Sequence, residues 1–293
     1  MRNLSQPIAR RRSRRFTVSL LSSPTVIYLG VFFFAPFVIV LLYAFGMVGL
    51  LRQFQFFPTL EYFLEFFDSV APSVFGRSLL MAFATTVLCL LLGYPMSYHI
   101  AVKSGRRKET LMLLVIIPFW VSFLLRTYAL MTILDVNGII NVTLLSFGLI
   151  SEPLNLMYNM QAVLLGMVYN YLPFMILPLY ASMEKLDKSL LEAAGSLGAG
   201  PTRSFLHVTL PLTRSGVGAG SILVFVPAVG EFIIPQLLGG TESFMIGNLI
   251  WTLFLKARDL WFGSAVSIIL IALVMLMVAL YMKYITRGEE MTI

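Results

Sequence analysis

Charged side chains are scarce in this sequence. Only 12% of its 293 residues are Asp, Glu, Lys or Arg, whereas 58% are hydrophobic. Soluble globular domains carry about 25% charged residues, so a chain of this composition cannot hide its apolar surface in one water-soluble core. The scarcity of charge excludes an ordinary soluble domain and predicts that the lipid bilayer is the solvent.

Cysteine and histidine are also nearly absent. The single cysteine, Cys89, lies in an apolar run and cannot form an internal disulfide, which excludes a disulfide scaffold and a cysteine metal cluster. The two histidines, His99 and His207, lack the HExxH spacing, so a metal site or a catalytic site is not expected. The sequence has no Gly-x4-Gly-Lys-Ser/Thr phosphate loop, so we expect no cofactor in this chain and no ATP hydrolysis by it.

Long apolar runs are what the sequence has in abundance. A helix needs about 20 apolar residues to cross a bilayer. The runs predict an all-α integral membrane protein with six transmembrane helices, at residues 24–48, 76–101, 110–134, 160–182, 214–235 and 261–284. An even number of spans places both termini on the same side of the membrane.

The positive charge is distributed unevenly around these spans. Lys and Arg are concentrated in residues 1–23, in the loop after the second span and in residues 183–214, and the net charge is +7. The opposite side carries Arg52, Arg77, Lys256 and Arg258. Because cytoplasmic loops are enriched in Lys and Arg, we expect both termini to be cytoplasmic. The basic excess then reflects topology, and no nucleic-acid partner is expected.

This topology divides the chain into three parts. Residues 1–23 form a basic cytoplasmic N-terminus, residues 24–284 a single transmembrane domain, and residues 285–293 a cytoplasmic tail. Within the domain, the aromatic segment 54–70 is expected to lie flat at the membrane interface. A docking surface for a partner is the alternative for that segment.

One long polar interval, residues 183–211, interrupts the apolar pattern. Glu184 and Glu192 fall at helical spacing, Gly198 follows the end of that helix, and Pro201 suits the first turn of another. The interval therefore predicts a short helical hairpin that projects into the cytoplasm, with an ordinary solvated connector as the alternative.

Two ionisable residues, Arg126 and Glu231, fall inside predicted spans. Counted from Glu109 and from Arg214, each lies about 25 Å along its helix, which places both in the outer part of the membrane. An unpaired charge at the bilayer centre costs about 2.5–3.5 kcal/mol. Two hypotheses stay open: the residues form an intramembrane ion pair, or Glu231 meets a cationic substrate while Arg126 snorkels to the outer headgroups.

The fifth predicted span has features of a helix that lines a path. Gly216 and Gly220 allow close approach of another helix, and Pro227 and Pro235 free backbone carbonyls that neighbours or a wet cavity must satisfy. A bent packing helix is the alternative. Aromatic faces hold cations, so the candidate path residues are Trp120, Tyr128, Tyr169, Tyr171 and Glu231.

The polar interval carries a recognisable motif. It consists of Glu192, Ala193, Ala194, Gly198, Leu210 and Pro211. The motif resembles the Glu-Ala-Ala loop of the inner-membrane permease subunits of bacterial ABC importers, with Val208 in place of the usual isoleucine. The resemblance implies the type I ABC importer permease fold, and it implies that these residues dock on a separate ATPase and couple it to transport.

Further segments are similar to the polyamine (spermidine and putrescine) permeases. They are Leu92-Gly93-Tyr94-Pro95, residues 118–128, Tyr171-Leu172-Pro173-Phe174-Met175 and residues 227–232. The resemblance implies a permease of the bacterial inner membrane that carries polyamines. Another small amine or an amino-acid-like solute is the alternative. The Gly-Glu-Phe triplet at 230–232 also resembles importers of anions, so it does not by itself argue for a cation.

The resemblance also implies a set of partners. Two ATPase subunits would bind ATP-Mg, a second, paralogous permease subunit would complete the path, and a periplasmic polyamine-binding protein would dock on outer loops such as 135–141 and 238–259. Membrane lipid surrounds the assembly. The rival classes are an ion-coupled secondary carrier, which usually shows inverted repeats and several intramembrane acids, and a membrane enzyme.

Overall fold

A computed structural model describes residues 23–48 and 57–290 of the chain, with the side chains of Lys188, Glu242 and residues 284–290 left out. The expected N-terminal segment up to residue 22, the start of the interfacial segment and residues 291–293 lie outside this description. Within the described residues the regular elements are helices. They are α1 Ser23–Ala44, α2 Glu61–Asp68, α3 Ala71–Lys103, α4 Lys108–Ile116, α5 Phe123–Leu134, α6 Ile139–Ser146, α7 Met160–Glu184, α8 Lys188–Ser196, α9 Pro201–Leu212, α10 Arg214–Val229, α11 Ile233–Leu238, α12 Ile246–Ala257 and α13 Leu260–Glu290.

Five of the described helical stretches are long and apolar enough to cross a membrane. They are α1, α3, the pair α5–α6, α7 and the Leu260–Lys283 part of α13, and α9 with α10, which meet at a bend of 67°, would make a sixth. The prediction of an all-α membrane protein with several spans is confirmed. The fourth span in particular begins at residue 160 as expected.

The third predicted span, 110–134, is wrong as a single helix. α4 ends at Ile116, a 3-10 turn follows at Ile117–Trp120, and Val121 is extended before α5 begins at Phe123. Pro118 lies in that turn, and a proline both removes a backbone donor and clashes with the preceding turn. The span is therefore broken about halfway along its length.

The fifth predicted span, 214–235, is also wrong in extent. α10 ends at Val229, and the chain turns through Gly230 and Glu231 before the short helix α11 begins at Ile233. Pro227 lies in the last turn of α10 and Gly230 follows its end, which is where a glycine commonly terminates a helix. The turn exposes the backbone N–H groups of α11, and these decide the environment of Glu231.

The core is formed where α3, α7 and α10 pack together. Gly216 and Gly220 allow this packing, as predicted: a Cβ on Gly216 would lie 2.6 Å from Cβ of Ser182, and one on Gly220 would lie 2.7 Å from Sδ of Met175. A second cluster joins α2 to α13 through Phe66. The interfacial helix α2 thus packs on the helical bundle, and Thr59 Oγ1 accepts the N–H of its first residue, Glu61, at 3.2 Å.

Candidate translocation and coupling sites

Glu231 is buried, with 7% of its surface exposed, and it has no cationic partner among the described residues. Its Oε1 accepts the backbone N–H groups of Phe232, Ile233 and Ile234 at 3.0, 2.9 and 3.3 Å. Its Oε2 accepts the hydroxyl of Tyr171. The first turn of a helix offers unpaired N–H groups and a partial positive charge, so α11 and Tyr171 together stabilise a carboxylate inside the membrane.

Arg126 is buried as well, with 6% of its surface exposed. Its guanidinium carbon lies 5.7 Å from the ring centre of Phe119 and 5.9 Å from that of Phe123. Its Nε is buried and has no hydrogen-bond partner in the described part of the chain. Contacts with two phenyl rings are therefore the interactions that the structure gives this side chain.

The ion pair between Arg126 and Glu231 is not formed. The one ion pair found among the described residues is elsewhere, and the Phe123 ring, which lies under Arg126, packs against Tyr171, the partner of Glu231. Burial of Arg126 also rules out snorkelling to the outer headgroups in this structure. Both expectations for Arg126, the ion pair and the snorkelling, are thus wrong. Glu231 is stabilised without a cation, because the N-terminus of α11 and the Tyr171 hydroxyl donate hydrogen bonds to it.

Arg126 and Glu231 lie at a similar level along α7. Thr127, next to Arg126, contacts Asn170 at 3.5 Å, and Glu231 contacts Tyr171. Asn170 lies about 15 Å from the Met160 end of α7 and about 20 Å from the Glu184 end. Both residues are therefore level with the middle of α7.

The candidate path aromatics separate into two groups. Trp120, Tyr128 and Tyr169 are exposed, Trp120 with 79% of its surface, whereas Tyr171 is buried against Glu231. An exposed tryptophan on a membrane protein contacts lipid, a water-filled path or another chain. The structure thus brings Tyr171 and Glu231 together beneath the surface and leaves the other three uncovered.

The polar interval forms the predicted hairpin. α8 ends at Ser196, Gly198 follows in the left-handed region with φ of +81°, and α9 begins at Pro201. Asp187 precedes α8 and accepts the N–H of Ser189 at 2.9 Å, and this hydrogen bond holds the pKa of Asp187 below its usual value. The left-handed conformation explains the glycine, since other residues adopt it at a cost.

The motif residues occupy the two ends of this hairpin. At the tip, Glu192, Ala193 and Gly198 are exposed and Ala194 is half-buried, beside Leu197 with 88% of its surface exposed. At the root, Leu210 packs against the core and Pro211 lies in the last turn of α9. The tip therefore presents small residues and an uncovered leucine, while the root is fixed to the transmembrane bundle.

Tyr94 holds the joint between the hairpin and α10, and the sequence did not single it out for this role. Its hydroxyl lies 2.8 Å from Oγ1 of Thr213, the residue at the 67° bend, and its ring packs edge-on against Phe205 of α9 with centres 5.3 Å apart. Thr213 Oγ1 donates to the carbonyl of Thr209 at 2.8 Å. Tyr94 is therefore the donor to Thr213, and one side chain of α3 contacts both arms of the bend.

An ion pair between α4 and α7 was also not predicted from the sequence. Lys108 Nζ lies 2.8 Å from Oε1 of Glu184, and the hydroxyl of Tyr180 donates to the same oxygen at 2.9 Å. The hydrogen bond to Glu184 raises the pKa of Lys108. The pair is exposed and screened by solvent, so it contributes little stability. Partners so far apart in sequence leave no local pattern by which they could be found.

No group of three or more His, Cys, Asp or Glu side chains among the described residues is close enough to hold a metal ion. His99 borders an apolar cavity, and His207 Nδ1 lies 3.2 Å from the carbonyl of Arg203. Neither histidine has a carboxylate as a hydrogen-bond partner in the part of the chain that the structure describes.

The comparisons with known proteins agree with this architecture. A family model described as binding-protein-dependent transport system inner membrane component matches residues 90–289. The chain is 42% identical over 232 residues to the spermidine/putrescine transport system permease protein PotB of Haemophilus influenzae. The alignment covers 79% of this chain and 81% of that protein. It is also 42% identical over 225 residues to PotB of Escherichia coli K12, covering 77% and 82% of the two chains.

Solved structures show the same fold at low sequence identity. A chain of a bacterial ABC transporter involved in the import of the acidic polysaccharide alginate superposes with a TM-score of 0.69 at 18% identity, covering 96% of this chain and 99% of that chain. The alginate transporter in complex with a pentasaccharide-bound periplasmic protein gives a TM-score of 0.67 at 18% identity, covering 94% and 96%. The chain therefore belongs to the family of inner membrane components of binding-protein-dependent transport systems, the multi-pass permease subunits of bacterial ABC transporters, and not to a family of enzymes.

Proposed function

We propose that this chain is the permease subunit of an ATP-driven importer of polyamines, with putrescine and spermidine as substrates. The observation that carries the substrate class is the 42% identity to spermidine/putrescine permeases over about four fifths of the chain. The proposed arrangement has six spans and cytoplasmic termini, with residues 24–284 as the permease domain and α10 with α11 as the fifth crossing.

The hairpin 183–211 is the proposed contact with one of two ATPase subunits. Its tip carries Glu192, Ala193, Ala194 and Gly198 together with the uncovered Leu197, which is the exposed apolar surface that a protein partner covers. Its root is fixed at Leu210 and Pro211. Movement of the tip on the ATPase would thus reach α10 directly. The nucleotide and its magnesium ion would be bound by those subunits.

The exposed aromatic surface of Trp120, Tyr128 and Tyr169 is the proposed half of the translocation path. Cation–π contacts are worth about 0.5–2 kcal/mol each, which suits a conduit that must bind a polyamine weakly and release it. Glu231 and Tyr171 lie beneath this surface and would supply negative charge without a tight site. A second, paralogous permease chain would close the path on its other side.

A periplasmic polyamine-binding protein is the proposed source of substrate. The family description names binding-protein-dependent transport, and one structural neighbour was solved with its periplasmic protein. In this chain the residues 135–141 and 238–259 are the proposed docking loops. They connect helices at the Met160 end of α7, since Tyr158 donates its backbone N–H to the carbonyl of Leu238 at 2.8 Å.

The coupling assignment is tested by substitutions at the hairpin tip in the complete transporter reconstituted in liposomes. Glu192→Lys or Gly198→Pro should leave the complex inserted but should abolish most ATP-driven spermidine uptake. Gly198→Pro acts because proline cannot adopt the φ of +81° found there. Glu109→Lys, at an exposed acid outside the hairpin, is the matched control and should transport normally.

The substrate assignment is tested separately in the same liposomes. Uptake of radiolabelled spermidine and putrescine should require ATP, the ATPase and the binding protein, and it should survive an ionophore that collapses ion gradients. Uptake that persists without ATP would support an ion-coupled carrier instead. Normal uptake by both hairpin variants with an intact ATPase would contradict the coupling role even if polyamines are confirmed as substrates.

A further inference from the structure

Arg126 reaches an apolar cavity within the membrane. The cavity has a volume of about 610 Å³ and lies between the end of α3, α4 and the middle of α7. Its lining includes Pro95, Leu114, Leu172 and Ile176, and its polar members are Arg126, His99 and Tyr169. Such a mainly apolar lining offers the guanidinium no carboxylate.

The guanidinium lacks a counter-ion in the described part of the chain. Its Nε has no hydrogen-bond partner, and none of the described carboxylates lies within ion-pair distance of it. Arginine stays protonated inside proteins and carries five N–H donors, so it cannot relieve its burial by losing a proton. A charged side chain at this depth normally pairs with another group or faces water. The described residues therefore leave the charge of Arg126 without an anionic partner.

This chain's own intramembrane acid cannot be that group. Glu231 already accepts three backbone N–H groups and the Tyr171 hydroxyl, and moving it to Arg126 would leave the first turn of α11 without its acceptor. The rings of Phe119 and Phe123 under Arg126 add only cation–π attraction. The counter-ion must come from outside the described chain.

The depth of Arg126 selects the kind of partner. Level with Asn170, it lies about 15 Å from one end of α7 and about 20 Å from the other. Lipid headgroups lie at the membrane surfaces, outside a hydrocarbon core about 30 Å thick, whereas a carboxylate on a transmembrane helix can be held at any depth. The neighbouring surface at Leu124 and Leu125 is exposed and open to such a helix.

We propose that Arg126 binds an acidic side chain on a transmembrane helix of the second permease chain. This side chain enters the cavity and forms a bidentate ion pair with the guanidinium. The inference rests on the proposed function in requiring that second chain. It adds a specific contact to the interface between the two permeases. The pair would also fix the register of the two chains, since a shift of one chain along the other would leave both charges buried and unpaired.

The test uses the complete transporter, purified through a tag on this chain. Arg126→Met should lower the amount of second permease recovered per tagged chain at least about tenfold, because it leaves the partner's carboxylate buried and unpaired. Arg126→Lys keeps the charge but loses the bidentate geometry, so its recovery should lie between those of the wild type and Arg126→Met. Arg106→Met, at an exposed cytoplasmic arginine, is the matched control and should leave recovery unchanged.

A second-site measurement separates the ion pair from a general loss of folding. Each Asp and Glu in the partner's predicted spans is changed singly to Asn or Gln in the Arg126→Met background, and one of these changes should restore recovery to at least half of the wild-type amount. Full recovery with Arg126→Met alone would overturn the proposal. A loss that no partner change repairs would overturn it too.

Other sources of the anion give different results. Native mass spectrometry that finds an acidic lipid on the wild-type chain and not on Arg126→Met, or inhibition of uptake by an aminocarboxylic acid that requires Arg126, would assign the cavity to that anion and overturn the proposal. Spermidine uptake by the wild-type complex is measured in the same preparation. If that uptake is absent while the recovery results hold, the substrate assignment fails and the interface assignment stands.

Discussion

At the scale of single residues, the environment of Glu231 shows how a carboxylate is accommodated without a cation. Charged groups in the membrane are usually expected to pair with an opposite charge. Here one oxygen accepts three backbone N–H groups and the other accepts a tyrosine hydroxyl. Glu231 therefore serves first as the acceptor for the free N–H groups at the start of α11. Because its side chain is buried, any effect of its charge on a passing cation is exerted from beneath the surface.

The Tyr171 hydroxyl should contribute measurably to stability. Tyr171→Phe leaves one buried oxygen of Glu231 without a donor, and a buried unsatisfied group costs about 1–3 kcal/mol. We expect the free energy of unfolding in detergent to fall by that amount. Tyr169→Phe removes an exposed hydroxyl two residues away and should change it by less than about 0.5 kcal/mol. Equal effects of the two changes would contradict the assigned role of Tyr171.

The charge of Glu231 should affect transport separately from its hydrogen bonds. In Glu231→Gln the amide oxygen can still accept the N–H groups of α11, while the negative charge is lost. If that charge attracts the polyamine, KM for spermidine uptake should rise about 2- to 10-fold, equivalent to about 0.4–1.4 kcal/mol. An unchanged KM together with a lower melting temperature would limit Glu231 to its structural role.

At the scale of the helices, small residues determine how closely α7 and α10 approach. A Cβ on Gly216 would lie 2.6 Å from Cβ of Ser182 and 2.9 Å from the carbonyl oxygen of Pro178. Because a backbone atom is involved, the contact cannot be relieved by a rotamer change alone. The close approach of these two helices therefore depends on a hydrogen atom at this position.

Gly216→Ala should accordingly destabilise the protein by about 1–3 kcal/mol, as overpacking does elsewhere. Gly76→Ala is the matched control, since Gly76 is also helical but has nothing within 4 Å of its missing Cβ. The control should be neutral or slightly stabilising because alanine has the higher helix propensity. Thermal unfolding of the purified variants would measure both, and a loss of stability in Gly76→Ala of similar size would refute the packing explanation.

The joint between the hairpin and α10 should matter for coupling. Tyr94→Phe and Thr213→Val both remove the hydrogen bond between the two hydroxyls while keeping the shape of the side chain, and such a bond contributes about 1 kcal/mol. Thr213→Val also removes the hydrogen bond to the carbonyl of Thr209. We expect each change to raise the number of ATP molecules hydrolysed per spermidine imported, and we expect the double variant to be no worse than the more severe single one. Additive losses would show that the two hydroxyls act independently.

Much of this arrangement follows from local sequence, and the rest depends on contacts between distant residues. The hairpin was predictable because Gly198 and Pro201 act on their own neighbours, and the Gly216–Gly220 packing follows from spacing on one helix. The break after Ile116 was not predicted, although Pro118 marked it, because a proline in a membrane helix can also produce a simple kink. The surroundings of Arg126 and Glu231 could not be derived, because α11 exists only once the fifth span is broken.

At the scale of the whole molecule, the chain leaves a large apolar surface uncovered. The first half of α1 is largely exposed, and its second half, Ala35–Ala44, packs on α13. Lipid can cover α1 and the outer face of α13. Tyr169 lines the cavity, Trp120 lies in the break in the third span, and Tyr128 is exposed on α5 just after that break. A path between two chains requires that this surface be wet while the rest contacts lipid.

Thiol labelling can distinguish wet from lipid-facing surface, because the chain offers a favourable background. Its one cysteine, Cys89, is fully buried with 0% exposure, so the wild-type protein should not react with a water-soluble maleimide. In the assembled transporter, cysteine at Trp120, Tyr128 or Tyr169 should react, and excess spermidine delivered by the binding protein should slow the reaction. Cysteine at Met275, exposed on α13 and expected to face lipid, should stay unreactive because thiolate forms only where water is present. If Met275→Cys reacted as fast as Tyr128→Cys, or if none of the three aromatic positions reacted in any nucleotide state, this surface would not be the path.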